Sequence, residues 1–146
     1  MYYQLEKNLP VVSDFDVIVV GAGIAGVSAA LAACRQGSQV LLIEKQSGVG
    51  GLATYGLVSC YLPICDGKGR IISSGIPQEL YEIALQSNTV ESTHVFPSSQ
   101  RTQTWFIPHE FQIRLEQLLV HHQCTILYET ICIEAVMEGT YCAGLV

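Results

Sequence analysis

VIVVGAGIAGVSAALAAC, residues 17–34, carries no charged side chain from end to end. A membrane-spanning helix needs roughly 20 mostly apolar residues, so hydropathy alone leaves two readings open. The glycines separate them. Gly21, Gly23 and Gly26 in a spanning helix would each be about 1 kcal/mol worse than alanine, and Arg35, Glu44 and Lys45 leave no clean second flank. Read as strand, turn and helix, every part has a reason. Val17, Ile18, Val19 and Val20 are β-branched, apolar on both faces and stopped by glycine, the pattern of a central strand in a parallel sheet. Residues 27–33 are rich in strong helix formers, and Gly37 stands where such a helix would stop.

At the junction of strand and helix the glycines fall as G-x-G-x-x-G, the context in which this spacing carries a phosphate-binding mechanism. Gly21 turns the chain out of the strand. Gly23 lets a pyrophosphate approach the backbone, and Gly26 lets the helix pack closely on the sheet. The helix N-terminus then presents unpaired N–H groups and a dipole that favour an anion. A second apolar strand over residues 39–43 ends at Glu44, about twenty residues beyond the glycines, where a carboxylate can accept the ribose hydroxyls of an adenosine. The expected fold is α/β, a Rossmann-like dinucleotide-binding domain with a parallel sheet.

After Glu44 the chain runs Lys45-Gln46-Ser47-Gly48-Val49-Gly50-Gly51-Leu52-Ala53-Thr54 and offers a second glycine pair where an NAD-type unit would continue into a crossover helix. This loop resembles that of the FAD-binding flavoproteins of the glutathione-reductase structural type. Residues 50–86 and 106–146, with runs such as GGLATYGLVSCYLP and FIPHEFQIRLEQLL, are similar to the amino-terminal portion of FAD-dependent oxidoreductases related to fumarate reductase and succinate dehydrogenase flavoproteins. The resemblance covers residues 14–146. It implies FAD as cofactor, with Gly21, Ala22, Gly23, Ile24, Ala25 and Gly26 around the pyrophosphate. It further implies Glu44 at the adenosine ribose with Lys45 beside it, and Gly50, Gly51, Ala53 and Thr54 approaching the pyrophosphate and ring system. The backbone of Ile131, expected to open the strand after the third parallel strand, would meet the adenine. The implied activity is hydride transfer between flavin and a small organic substrate; the alternative is a dinucleotide-binding piece without catalysis.

Composition limits the other classes. A chain of 146 residues fits one domain able to bury roughly two thirds of its surface. With 49% hydrophobic and 14% charged residues it is not a disordered chain, and a net charge of −6 offers no basic face to nucleic acid or anionic lipid. The first fifteen residues lack the basic and apolar regions of a signal peptide, so the six cysteines read as reduced, mostly buried thiols of a cytoplasmic protein.

Downstream, Ser74 and Pro77 are expected to open a helix through Ala84, and Pro108 a second helix with Phe111, Leu115, Leu118 and Leu119 as its apolar stripe. Residues 124–128 read as a strand, and 131–137 as a strand paired with 141–146 through a turn at Glu138-Gly139. The polar stretch 87–107 contains a β-type run at Thr104-Trp105-Phe106-Ile107 and belongs to an inserted, substrate-side region over 52–107 within a FAD-binding unit of 1–146. His109-Glu110 has Ile113 where a zinc helix would carry its second histidine, so no metal site is expected. His121 and His122 suit a helix C-terminus. Cys60 and Cys65 are too widely spaced for a redox pair. Arg70 and Arg101 are candidate carboxylate binders, and Tyr55, Tyr61 and Trp105 are core aromatics or flank the flavin; no catalytic residue can be singled out. Val146 falls inside an apolar strand, so the chain reads as the amino-terminal piece of a longer enzyme. Its strand edge at 141–146 is open to self-association.

Overall fold

Apolar patterning builds residues 17–43 into one strand-helix-strand unit: β1 (Val17–Val20), α1 (Ile24–Arg35) and β2 (Val40–Ile43). The computed structural model describes residues 8–11, 14–68, 70–87 and 104–146. β1 and β2 run parallel with Val17 opposite Val40 and Val20 opposite Ile43. Short strands follow at β3 (Cys60–Tyr61) and β4 (Thr104–Trp105), and β5 (Thr125–Leu127) then pairs in parallel with the other side of β2. Among the described residues the sheet order is β1-β2-β5, so β2 rather than β1 has neighbours on both sides. Burial follows the flanking and not the β-branched composition: Val40, Leu42 and Ile43 are buried, whereas Val20 is 55% exposed. At the end of α1, Gly37 adopts φ 84°, a left-handed conformation without penalty for a residue lacking Cβ, and its N–H bonds the Cys34 carbonyl.

α2 (Ile76–Gln86) and α3 (Pro108–His121) pack against α1. Val27, Ala30 and Leu31 of α1 enter one core with Leu80 and Ala84 of α2. From α3 come Phe111, Leu115 and Leu119, which recur every fourth residue on one face and are fully buried, with Leu118 partly buried beside them. The residue capping α2 is Gly75 at φ 73°, with no side-chain cap, and not Ser74. Ile76 already opens the helix and Pro77 takes the next position, so Ser74 stands one residue too early to cap it. At the far end of the helices the Arg35 guanidinium donates to Glu79 at 2.7 Å and lies 3.3 Å from His122 Nε2, which joins α1, α2 and α3.

β3 and β4 form an antiparallel pair of their own. β6 (Ala135–Glu138) and β7 (Tyr141–Leu145) form a hairpin turned at Gly139 and Thr140, one residue later than expected. Residues 131–134 precede β6: Glu134 exchanges both backbone bonds with Val146, extending the hairpin ladder by one pair, and the Ile133 N–H also donates to the Val146 carbonyl. No helix among the described residues is long and apolar enough to cross a membrane. Burial of the cysteines is narrower than expected. Cys65 and Cys124 are buried, Cys34, Cys60 and Cys132 are half-buried, and Cys142 is exposed on the hairpin. Residues 88–103, Arg101 with them, lie outside the described residues.

Candidate functional site

The C-terminal ends of β1 and β2 deliver the two glycine segments to one place. Gly21 leaves β1 at φ 94° and its N–H donates to the Ile43 carbonyl at 2.7 Å, so the turn hangs on the end of β2. A Cβ on Gly26 would collide with the Gly21 carbonyl oxygen, which sets how closely α1 can approach the turn. The second segment closes against the first. Gly50 bridges Gly23 in parallel, with its N–H donating to the Ala22 carbonyl at 2.7 Å. A Cβ on Gly51 would come within 3.0 Å of Gly23 Cα. Toward the other side, nothing lies within 4 Å of where a Gly23 Cβ would stand. Bare backbone at the N-terminus of α1 therefore borders open space, an arrangement that receives an anion through N–H groups and the helix dipole.

Glu44 follows β2 directly and is 7% exposed. Its carboxylate accepts from the Ala22 N–H at 2.6 Å and the Gln46 N–H at 2.9 Å. Its own N–H donates to the Leu127 carbonyl, and its carbonyl accepts from the Thr130 N–H. One residue thus joins the glycine turn, the bend after β2 and the chain leaving β5. Each carboxylate oxygen keeps a further lone pair. Ile131, next to Thr130, comes to the same end of the sheet with its side chain 68% exposed, ahead of β6 rather than opening it.

The remaining sequence candidates divide by where they point. Lys45 and Ala25 are exposed, and Ile24 and Ala53 are half-buried. Ala22 is fully buried. Thr54 is also buried: its hydroxyl donates to the Val49 carbonyl at 2.7 Å and its methyl group packs beside Gly50, so the side chain braces the loop from within. Sequence reasoning missed two further braces. The Tyr55 and Ser47 hydroxyls lie 2.9 Å apart, and Gln112 of α3 fills the space a side chain at Gly48 would need. Only the glycine at position 48 hints at the second. Arg70 is exposed, Cys60 lies in β3, and Cys65 forms a bridge with Ile71, so these do not join the glycine segments.

Beside the glycine segments opens a cavity of about 270 Å³, bordered by Ile24 and Ala53 on that side and by Tyr61, Phe106 and Phe111. The Tyr61 hydroxyl is engaged with the Pro77 carbonyl at 2.8 Å, and burial pushes its pKa above the ordinary phenol value.

A parallel sheet whose strand ends carry two glycine segments and a buried acid defines a Rossmann-type dinucleotide-binding protein. A profile of the FAD dependent oxidoreductase family matches residues 16–146, and the chain belongs to that family. FAD is its cofactor, and the side-chain-free backbone around Gly23, Gly50 and Gly51 fits a pyrophosphate. The tRNA uridine 5-carboxymethylaminomethyl modification enzyme MnmG of Treponema denticola is 54% identical over 62 residues, 41% of this chain and 9% of that protein. The soluble pyridine nucleotide transhydrogenase of Chromohalobacter salexigens is 50% identical over 44 residues, 30% of this chain and 10% of that protein. The structure of Aquifex aeolicus GidA superposes with a TM-score of 0.61 at 17% identity over 94% of this chain and 23% of that chain, a likeness of fold. The matched stretches thus span a small part of each relative's length.

Proposed function

We propose that this chain is the FAD-binding part of an oxidoreductase that moves hydride between the flavin and a small organic substrate. The observation that carries the reading is the bridge between Gly23 and Gly50 with open space in front of Gly23. In this reading the backbone of Gly21, Gly23 and Gly26 and of Gly50 and Gly51 surrounds the pyrophosphate, with Ile24 and Ala25 in the first turn of α1 as donors. Ala22 and Thr54 hold the two segments in shape, and Ala53 lies toward the ring system. The spare lone pairs of Glu44 accept ribose hydroxyls, Lys45 lies beside them, and the Ile131 backbone meets the adenine. FAD supplies the group that takes up or gives the hydride; these residues bind it, orient it and exclude water. The 52–107 segment, which contains the β3–β4 pair, forms the substrate side.

The experiment is to purify the full protein carrying this sequence, measure flavin absorbance released by acid, and mix it anaerobically with a panel of small alcohols, amines and hydroxy acids. Stoichiometric FAD and bleaching of the flavin by a panel member are expected. Stoichiometric FAD that no member bleaches would favour a binding piece without catalysis, and NAD in place of flavin would overturn the site.

A further inference from the structure

The cavity beside the glycine segments differs in chemistry from the backbone cradle. Its inner side chains are Phe106, 5% exposed, and Phe111, fully buried, with ring centroids 4.5 Å apart. Ile24 and Ala53 connect it to the glycine segments. The polar side-chain groups along its lining are already engaged: the Tyr61 hydroxyl with Pro77, and the Cys60 thiol 4.0 Å from the Tyr61 carbonyl oxygen. A carboxylate, a phosphate or the polar edge of a flavin ring would lose its hydration here and find no free side-chain partner among the described residues of the lining. Around the same cavity Leu52, Val58 and Leu62 are 76%, 55% and 72% exposed. Large apolar side chains gathered at one opening, rather than scattered singly, mark a binding surface.

Size narrows the occupant. An engineered apolar cavity of about 150 Å³ holds benzene. One of about 270 Å³ has room for a fused bicyclic ring or a short branched hydrocarbon. We propose that this cavity is the substrate pocket and that it takes an apolar group, an aromatic ring or a hydrocarbon chain, while the polar reacting end of the substrate stays on the side of Ile24 and Ala53. The substrate class is therefore amphipathic, with an uncharged apolar body. This rests on the oxidoreductase reading above.

The FAD-loaded full protein is titrated calorimetrically with indole, and its flavin content is measured in the same samples. Val58→Trp fills the opening from an exposed position, and Leu62→Glu places a charge at its rim. Saturable indole binding is expected. Each variant should weaken indole binding roughly tenfold or more, the loss when an aromatic group is no longer buried, with flavin content unchanged. Indole affinity in both variants equal to that of the unmutated protein would overturn the proposal. So would absence of indole binding, the result when another segment or a second copy covers the patch. Loss of flavin from the unmutated protein would sink the oxidoreductase reading instead, and the indole titration still decides the pocket.

Discussion

The Glu44 carboxylate sits 2.6 Å from the backbone N–H of Ala22, so the acid at the end of β2 fastens the turn at the end of β1. Its second oxygen holds the Gln46 N–H at the start of the next loop. The residue therefore has structural work to do apart from any contact with a ribose.

Glu44→Ala leaves the buried Ala22 N–H without its acceptor and removes the Gln46 contact as well. Hydrogen bonds to a charged group are worth about 1.5–3 kcal/mol each, so a loss of about 2–4 kcal/mol in unfolding free energy is expected, measured by denaturant titration without added FAD. Glu44→Gln retains one carbonyl oxygen as acceptor and should lose about half as much. Unchanged stability in the alanine variant would show that these bonds do not hold the turn.

Gly23 and Gly26 are both glycines of one motif, yet they should fail differently. Gly23 has φ −65° and open space where a Cβ would stand, so Gly23→Val should fold with stability within about 1 kcal/mol of the parent and still lose FAD. At Gly26 a methyl group meets the Gly21 carbonyl oxygen, so Gly26→Ala should lower stability by about 1–3 kcal/mol or more through overpacking. Parallel thermal unfolding and flavin titration of the two variants would separate these outcomes. A Gly23→Val protein that folds and keeps its flavin would remove this residue from the cradle.

Glu79 should contribute stability only while ionised. The hydrogen bond from Arg35 holds its carboxyl below the ordinary value of 4.5, against a smaller opposing effect of burial. A depressed carboxylate stabilises the fold above its unfolded-state value and loses that contribution as pH falls through the folded-state value. The pair is about one third exposed, so Glu79→Gln should cost about 0.2–1 kcal/mol near neutral pH. The difference between variant and parent should close as pH falls below 4.5, with His122 facing the same pair in both proteins. A difference that stays constant with pH would assign the effect to packing.

Cys142 and Cys124 should report opposite environments. Burial pushes the Cys124 thiol up to about 12, with Cys34 beside it adding to the shift, while Cys142 is exposed on the hairpin. Because the thiolate is the reactive form, iodoacetamide near pH 8 should label Cys142 and spare Cys124 in the folded protein, read by peptide mass spectrometry. Equal labelling of the two would contradict the burial of Cys124.

The β1–α1–β2 unit was legible because its information is local. A β-branched run, glycines at fixed spacing and a run of helix formers each act within a few residues. The stripe of Phe111, Leu115 and Leu119 was legible for the same reason. The flanking order of β1 and β2 was not, since it depends on a strand more than eighty residues further on. β3 and β4 are two residues each; the β-type run at 104–107 marked β4, but nothing local to Cys60–Tyr61 pointed to its pairing with that run. At the site, the pattern located the glycines and Glu44. It could not reveal that the Glu44 carboxylate turns inward, that Thr54 braces its own loop, or that Gln112 of α3 occupies the space beside Gly48. Those relations arise from contacts between distant segments.

The bridge between Gly23 and Gly50 also bears on how quickly a dinucleotide would leave. Since the chain's own hydrogen bond from Gly50 to Ala22 joins the two glycine segments, the conformational entropy of bringing them together is surrendered during folding and not at the moment of capture. Association then approaches rigid docking, and loosening the 45–50 loop should act on the residence time of the cofactor far more than on its rate of arrival.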